Sequence, residues 1–179
     1  MNKSLHVATL AGGCFWCLES AFNQVQGIHS VKSGYSGGQT ENPTYKDVCT
    51  GNTGHAEVIR VEFDLEAISY REILEIFFAL HDPTQVNRQG NDIGSQYRTA
   101  IFYHDEAQAE AARSIIAEME QEQTWEGPIV TQIEPIATFY PAEDYHDNYF
   151  ERNPENQYCQ AVVSPKLAKF KKTFASRLK

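Results

Sequence analysis

The sequence predicts a two-layer α/β sandwich of the α+β type, in which helices pack on a mixed sheet and long irregular loops join the elements. Segments with the helical spacing of apolar residues alternate along the chain with segments of period two. The 179 residues, of which 41% are hydrophobic, suffice for one well-filled core. No repeat or low-complexity linker divides them, so residues 1–179 are expected to form a single domain.

Two helices are predicted in the first half of the chain. Apolar residues follow helical spacing from Cys14 to Val25 and stop at Gly27, a residue that favours a helix end. The sequence Ser-Tyr-Arg-Glu at residues 69–72 is a capping box that begins the second helix. This helix ends before Pro83, because proline disfavours helical backbone in the residue that precedes it.

Two further helices are predicted in the second half. Residues 105–123 have an apolar face at helical spacing. A basic C-terminal helix at about residues 164–178 has Ser164 as its N-cap and Pro165 in its first position. Six of the fifteen basic residues lie between positions 166 and 179, where the chain has no acid. We interpret this segment as a solvated helix that docks by its apolar stripe, in preference to a charged patch for a partner.

Three strands are predicted, at residues 55–64, 97–103 and 129–136. The sequence Gly-Tyr-Ser-Gly-Gly at residues 34–38 is interpreted as a flexible loop at the rim of a pocket. A nucleotide-binding loop is disfavoured there, since neither a preceding apolar strand nor a Lys-Ser/Thr pair accompanies it.

Composition and charge restrict the class of protein. The net charge of −9 argues against nucleic acid as the main partner. Four cysteines in a chain of this length do not resemble a disulfide scaffold, and they favour a reducing compartment with chemically used thiols. The N-terminus has no apolar stretch of signal length, and no run of eighteen apolar residues occurs. A cytoplasmic protein with no membrane partner is expected.

The most informative motif is Gly-Gly-Cys-Phe-Trp-Cys at residues 12–17, immediately before the first helix. If Cys14 lies in the first turn, the unpaired amides and the helix dipole favour its thiolate, which is a nucleophile. The alternative is half of a zinc site. The large aromatic residues between the two cysteines make that alternative less favourable, and no second metal-binding pair follows.

The strand at residues 55–64 supplies a second chemical feature. Glu57 has the same parity as Ile59, Val61 and Phe63, so its carboxyl group is expected on the buried side. Burial would raise the pKa of this carboxyl and make it a proton donor near neutral pH. The alternative is that the alternation ends before Glu57 and that the side chain reaches solvent.

Together these motifs resemble the A-type peptide-methionine sulfoxide reductases. The resemblance extends in order over residues 12–17, 34–38, 45–57, 91–98, 142–146 and 158–159. It implies a ferredoxin-like core within the sandwich. It also implies a catalytic domain that reduces the S epimer of methionine sulfoxide, free or within proteins, with no metal or organic cofactor.

The resemblance assigns roles to individual residues. Cys14 would attack the sulfoxide sulfur, and Glu57 would protonate the oxygen. Three further positions would hydrogen-bond this oxygen directly or through water: Tyr45, Asp92 and Tyr97. Phe15 and Trp16 would form the aromatic wall for the S-methyl group, although core packing is the simpler interpretation for Phe15.

The sulfenic acid formed on Cys14 would condense with a nearby thiol. Cys17 lies one helical turn away and is favoured, because its position avoids the loop-closure cost of a distant residue. Cys159 is the alternative, since resolving cysteines near the C-terminus occur in the family. Cys49 is interpreted as a structural thiol. His146 is expected on a surface helix, because Asp147 stands where relatives often have glutamine.

Thioredoxin or a similar dithiol would reduce the resulting disulfide, and the protein is expected to be a monomer. Two other functions remain open. A general dithiol-disulfide oxidoreductase would use Cys14 and Cys17 without Glu57. A zinc-binding module would use the same cysteines with Cys49 and His55.

Overall fold

The structure is a computed structural model that describes residues 5–89, 92–125, 127–143, 146, 149–153, 155–157 and 164–178. Its strands are β1 (Leu5–Gly12), β2 (Ile28–Ser36), β3 (Ala56–Asp64), β4 (Arg88–Gln89), β5 (Asp92–Ile93), β6 (Thr99–Tyr103), β7 (Gln132–Pro135) and β8 (Tyr140–Pro141). Its helices are α1 (Phe15–Phe22), α2 (Tyr45–Cys49), α3 (Tyr70–Leu80), α4 (Glu106–Gln121), α5 (Tyr149–Arg152) and α6 (Ser164–Thr173). Short 3₁₀ turns form at Ser95–Tyr97 and Ala175–Arg177.

One six-stranded sheet organises the fold, in the order β7-β6-β1-β3-β2-β8. Strand β7 is parallel to β6, and the other neighbours are antiparallel, so the sheet is mixed. The segment β1-α1-β2-β3-α3-β6 has the βαββαβ connectivity of a ferredoxin-like core, with its strands in the order β6-β1-β3-β2. The two-layer α/β prediction and its ferredoxin-like core are therefore confirmed.

The main hydrophobic core lies between the sheet and the layer formed by α1, α3 and α4. The parity predicted for β3 is confirmed, because Ile59, Val61 and Phe63 are buried in this core and Arg60 is exposed. A smaller cluster on the other face of the sheet contains Val58 and is covered by Phe139.

Several predicted elements occur with shifted ends. The capping box at the start of α3 is present, with Ser69 and Glu72 bonded to each other's backbone amides. Helix α1 ends at Phe22, because the chain turns through hydrogen bonds that precede Gly27, a residue with a φ of 90°. The strand predicted at residues 97–103 is shorter, since Tyr97 closes a 3₁₀ turn. The strand predicted at 129–136 is reduced to Gln132–Pro135.

The C-terminal helix follows the predicted pattern. Leu167 and Phe170 of α6 are buried in the main core, and Phe174 packs against it from the following turn. The lysines at positions 169, 171 and 172 are exposed. The docked amphipathic helix is thus confirmed, although it ends at Thr173, before the predicted position 178, and a 3₁₀ turn follows at Ala175–Arg177. In the part of the chain that the structure describes, no helix combines the length and apolar character needed to cross a membrane.

The interpretation of residues 34–38 as a flexible loop is wrong for the first three of them. Gly34, Tyr35 and Ser36 end strand β2 and pair with β3. Gly38 then passes so close to the backbone just before β3 that an added Cβ would lie 2.2 Å from the backbone nitrogen of His55. This stretch is fixed backbone that supports the site described below.

Candidate active site

Cys14 lies at the N-cap of α1, at the end of strand β1. Gly13 turns the chain with a φ of 88°, and a Cβ at Gly13 would approach Gln89 Cγ to 2.7 Å. Glycine is therefore required at this position for both conformation and space. The Cys14 side chain points into the protein and retains 8% of its exposure.

The expectation that Cys14 is a thiolate is wrong for the protein without substrate. Burial raises the pKa of the Cys14 thiol well above its usual value. A hydrogen bond with Cys17 and the negative charge of Glu57 raise it further. The backbone amide of Trp16 lowers the pKa, but a single helix amide does not compensate for the loss of water. Cys14 is therefore a neutral thiol before a substrate enters.

Glu57 is the buried acid of this site, as the parity of β3 predicts. Its side chain is 1% exposed, and the backbone amide of Phe15 donates to Oε1 at 3.1 Å. Oε2 has no hydrogen-bond partner among the described residues. Burial raises the pKa of Glu57 to about 8, and the charge of Asp92 adds to this increase. The carboxyl group is therefore mostly protonated at neutral pH, with one oxygen available to a ligand.

Tyr45 and Tyr97 surround the same centre. Burial raises the pKa of both phenols, and the charges of Glu57, Cys49 and Cys14 contribute to both increases. The two hydroxyl groups thus remain protonated and can donate hydrogen bonds. Asp92 is half-buried on β5, and its charge raises the pKa of Tyr97 as well as that of Glu57.

The position of Tyr45 is fixed by two sets of hydrogen bonds. Thr44 and Asp47 form a capping box at the start of α2, although the sequence pattern did not indicate this helix. The amide of Tyr45 donates to Glu143 Oε2 at 2.8 Å, and the hydroxyl of Tyr35 donates to Oε1 at 2.9 Å. Glu143 thereby connects β2 to α2.

The two aromatic residues after Cys14 have different environments. Phe15 is fully buried against Tyr35 and Tyr45, with ring centroids 5.7 Å and 6.3 Å away. Trp16 is half-buried and stacks on Tyr149, with centroids 3.8 Å apart and an interplanar angle of 4°. Only the Trp16 ring is therefore partly open to a ligand, while Phe15 supports the wall from within.

His146 contradicts the expectation of a surface residue, because its side chain is 0% exposed. Its Nδ1 accepts a hydrogen bond from Trp16 Nε1 at 3.0 Å, and its ring lies 4.5 Å from that of Tyr45. No local sequence pattern marks this contact, because Trp16 lies 130 residues earlier in the chain.

The cysteines are distributed over the site and its edge. Cys17 is 7% exposed, and its amide donates to the carbonyl of Cys14 at 3.2 Å. Cys49 is exposed and hydrogen-bonds Tyr45, so it is not the packed structural thiol that we expected. Cys159 lies outside the described residues.

The zinc alternative finds no support in the geometry of His55. Its Nδ1 accepts from the amide of Gly38 at 2.9 Å, and its Nε2 lies 2.7 Å from the carbonyl of Thr40. Both ring nitrogens of His55 are therefore engaged in hydrogen bonds with backbone groups. Among the residues described, no group of three or more His, Cys, Asp or Glu could hold a metal ion.

A buried thiol beside a second thiol and a protonated carboxyl group defines a thiol-dependent oxidoreductase. The sequence matches the peptide methionine sulfoxide reductase family over residues 6–178, and the chain belongs to that family. A relative from Polynucleobacter asymbioticus, named peptide methionine sulfoxide reductase MsrA, is 54% identical over 97% of this chain and 91% of its own length.

Solved structures agree with this membership. Reduced Mxr1 from Saccharomyces cerevisiae is 36% identical, with a TM-score of 0.79 over 87% of this chain and 90% of that one. Mxr1 in complex with Trx2 is 28% identical, with a TM-score of 0.56 over 82% of this chain and 85% of that one.

Proposed function

We propose that the protein reduces the S epimer of methionine sulfoxide, free or within proteins, with Cys14 as nucleophile and Glu57 as acid. The observation that carries this proposal is the protonated carboxyl of Glu57, held beside Cys14 by the amide of Phe15. A sulfoxide oxygen cannot depart without a proton, and a protonated carboxyl in a water-poor site supplies one.

The first half-reaction transfers oxygen from the substrate to the enzyme. The sulfur of Cys14 attacks the sulfoxide sulfur, and Glu57 gives its proton to the oxygen. The proton lost by the thiol replaces the one that Glu57 gave, so the carboxyl group is regenerated. The hydroxyl group then moves from the substrate sulfur to the sulfur of Cys14 while the bond between the two sulfurs breaks. The products are methionine and a sulfenic acid on Cys14.

The oxygen site and the methyl site select the epimer. Tyr45 and Tyr97 donate to the sulfoxide oxygen, and Asp92 holds it through water. The S-methyl group lies against Trp16, which Phe15 supports from behind. Burial of a methyl group contributes only about 0.8 kcal/mol, so selectivity requires the oriented oxygen as well.

The second half-reaction regenerates the thiol. The thiol of Cys17 attacks the sulfenic sulfur of Cys14, a disulfide forms, and water leaves. The hydrogen bond between the two thiols supports Cys17 as the resolving residue. Cys159 remains the alternative.

Thioredoxin or a similar dithiol then reduces the disulfide, and no metal or organic cofactor takes part. The complex of Mxr1 with Trx2 supports this reductant. Other properties stay predictions. These are that the protein is a monomer, that it has a single catalytic domain, and that it is cytoplasmic with no nucleic acid or membrane partner.

The two epimers of dabsyl-methionine sulfoxide, incubated separately with enzyme and dithiothreitol, test the proposal. We expect the S epimer to be consumed and the R epimer to remain. Reduction of insulin without turnover of either epimer would support a general dithiol-disulfide oxidoreductase instead. Stoichiometric zinc in the purified protein would support a zinc module.

A further inference from the structure

Gln89 is a buried polar residue that the proposed reaction does not use. It lies on β4, and its side chain is 6% exposed. Its carboxamide forms two hydrogen bonds with the backbone of Asp82, two residues beyond the end of α3. Oε1 accepts from the Asp82 nitrogen at 2.7 Å, and Nε2 donates to the Asp82 carbonyl at 2.9 Å. This pair of bonds fixes the direction of the side chain.

The aliphatic stem of Gln89 touches the turn that precedes the nucleophile. A Cβ added to Gly13 would lie 2.7 Å from Gln89 Cγ and 3.0 Å from its Cβ. The ring of His81, at the end of α3, lies against the preceding glycine, since a Cβ added to Gly12 would lie 3.0 Å from its Cγ. The two glycines that lead to Cys14 are therefore packed by Gln89 and His81.

Gln89 also belongs to the hairpin that carries Asp92. The two residues are paired across β4 and β5, and residues directly opposite each other in an antiparallel pair share one face. A hydrogen bond of 2.9 Å from the Gly94 nitrogen to the Asn87 carbonyl closes the hairpin. Among the described strands, none pairs this hairpin with the six-stranded sheet that holds Glu57. Its place therefore depends on contacts such as those of Gln89.

We propose that Gln89 is a positioning residue that keeps Cys14 and Asp92 in fixed relative places for the oxygen transfer. This inference rests on the proposed function. The carboxamide anchors the hairpin, and with it Asp92, to the end of α3, while the stem holds the turn at Gly13. The transfer requires the sulfur, the proton of Glu57 and the oxygen site to meet in one geometry. A displacement of about 1 Å can reduce a rate about 100-fold.

The variant Gln89→Leu tests the inference, because it removes the carboxamide and keeps the two carbon atoms that touch Gly13. Gln108→Leu is the matched control. Gln108 is also 6% exposed, its Oε1 accepts from the His104 nitrogen at 2.9 Å, and its Nε2 donates to the Val7 carbonyl at 2.8 Å. The control thus loses the same two kinds of bond near the beginning of β1, at the end of the strand opposite to Cys14.

Urea unfolding and the single-turnover reduction of dabsyl-methionine S-sulfoxide compare the two variants. Both should lower the midpoint of unfolding, since each leaves two backbone groups without their side-chain partner. Gln89→Leu should also lower the single-turnover rate constant by about 10- to 100-fold, whereas Gln108→Leu should stay within about two-fold of the unmodified protein.

The pH profile of this rate constant separates positioning from loss of stability. The proton donor is Glu57, whose pKa burial raises to about 8, and the charges of Asp92 and Cys17 add to this increase. The rate constant of the unmodified protein should therefore fall as pH rises through this value. A hairpin released from α3 moves Asp92 away and admits water, so the fall should occur at lower pH in Gln89→Leu. The control should keep the unmodified profile.

A single-turnover rate constant for Gln89→Leu close to that of the unmodified protein would overturn the inference. So would an equal decrease in Gln108→Leu, or a slow Gln89→Leu whose pH profile is unchanged. Gln89→Asn, whose amide is one methylene too short for both bonds, should show smaller changes in the same direction. It provides the comparison if Gln89→Leu has no cooperative unfolding transition.

The proposed function would survive each of these results. Absence of turnover of the S-sulfoxide by the unmodified protein would overturn the proposed function and the inference with it.

Discussion

The backbone amide of Phe15 donates a hydrogen bond to Glu57 Oε1 at 3.1 Å, which joins the first turn of α1 to the start of β3. Because Phe15 follows Cys14 directly, this bond holds the buried carboxyl beside the nucleophile. The same amide lowers the pKa of Glu57, but burial outweighs it and the carboxyl keeps its proton. The helix N-terminus thus positions the acid and does not ionise the thiol.

Glu57→Gln should abolish most of the chemical step, since an amide has no carboxyl proton to donate. A loss of about 10²- to 10⁴-fold in the single-turnover rate constant is expected for removal of a general acid. Rapid-quench measurement of dabsyl-methionine formation provides the value. Glu62→Gln, on the opposite face of the same strand, should react normally, and a near-normal rate for Glu57→Gln would reject the acid role.

The same substitution should change how stability depends on pH. Folding raises the pKa of Glu57 from 4.5 to about 8, so between these values the unfolded chain is ionised while the folded protein keeps the proton. The free energy of unfolding of the unmodified protein therefore falls as pH rises through this window. The free energy of unfolding of Glu57→Gln, taken relative to that of the unmodified protein, should therefore rise by roughly 3 kcal/mol between about pH 4 and pH 7.

Urea unfolding of both proteins at the two pH values measures this difference. Glu62→Gln serves again as the control, and its stability should follow that of the unmodified protein. A Glu57→Gln variant with the same pH dependence as the unmodified protein would show that the carboxyl is ionised in the folded state.

His146→Leu should weaken the wall at Trp16. The substitution leaves the Trp16 indole nitrogen without the acceptor that now lies 3.0 Å away, and an unsatisfied donor of this kind costs about 1–3 kcal/mol. We expect a lower free energy of unfolding and a KM for the sulfoxide raised by several-fold. His146→Asn should recover part of both losses, because its amide oxygen can accept the bond.

The exposed His29 provides the control for this series. His29→Leu should change neither the KM nor the unfolding free energy by a comparable amount. Equal effects of leucine and asparagine at position 146 would indicate that the ring fills space and that its nitrogen does not matter.

Cys17→Ser should permit one turnover and then stop. Oxygen transfer needs only Cys14, whereas formation of the disulfide needs the neighbouring thiol. Steady-state turnover with thioredoxin should therefore fall strongly while the amplitude of the first turnover remains. Cys159→Ser is the paired variant, and peptide mapping after one equivalent of substrate identifies the bond formed. A Cys14–Cys159 disulfide in the unmodified protein would contradict the favoured order.

The sequence indicated the acid of the site because the second half of β3 has only one fully buried face, and the parity of Ile59, Val61 and Phe63 extends back to Glu57. It did not indicate β1, since this strand lies in the middle of the sheet and its apolar residues do not alternate. It also missed β2, because Ser30, Ser33 and Gly34 occupy positions where a typical strand has β-branched or aromatic residues.

Long-range contacts explain the other differences. The burial of His146 depends on Trp16, 130 residues earlier in the chain, and no local pattern encodes that contact. The pKa of Cys14 depends on how much water its surroundings exclude, which a helix-start motif does not specify. Hairpin β4-β5 has only two residues in each strand, too few for a period to be visible.

The central claim is that the sulfur of Cys14 takes the sulfoxide oxygen, and the single-turnover reaction of Cys14→Ser with dabsyl-methionine S-sulfoxide tests it most directly. Without added reductant, the unmodified protein should form about one equivalent of dabsyl-methionine in this reaction. The variant should form none, although its unfolding transition should match that of the parent. Formation of an equivalent of dabsyl-methionine by Cys14→Ser would contradict the account.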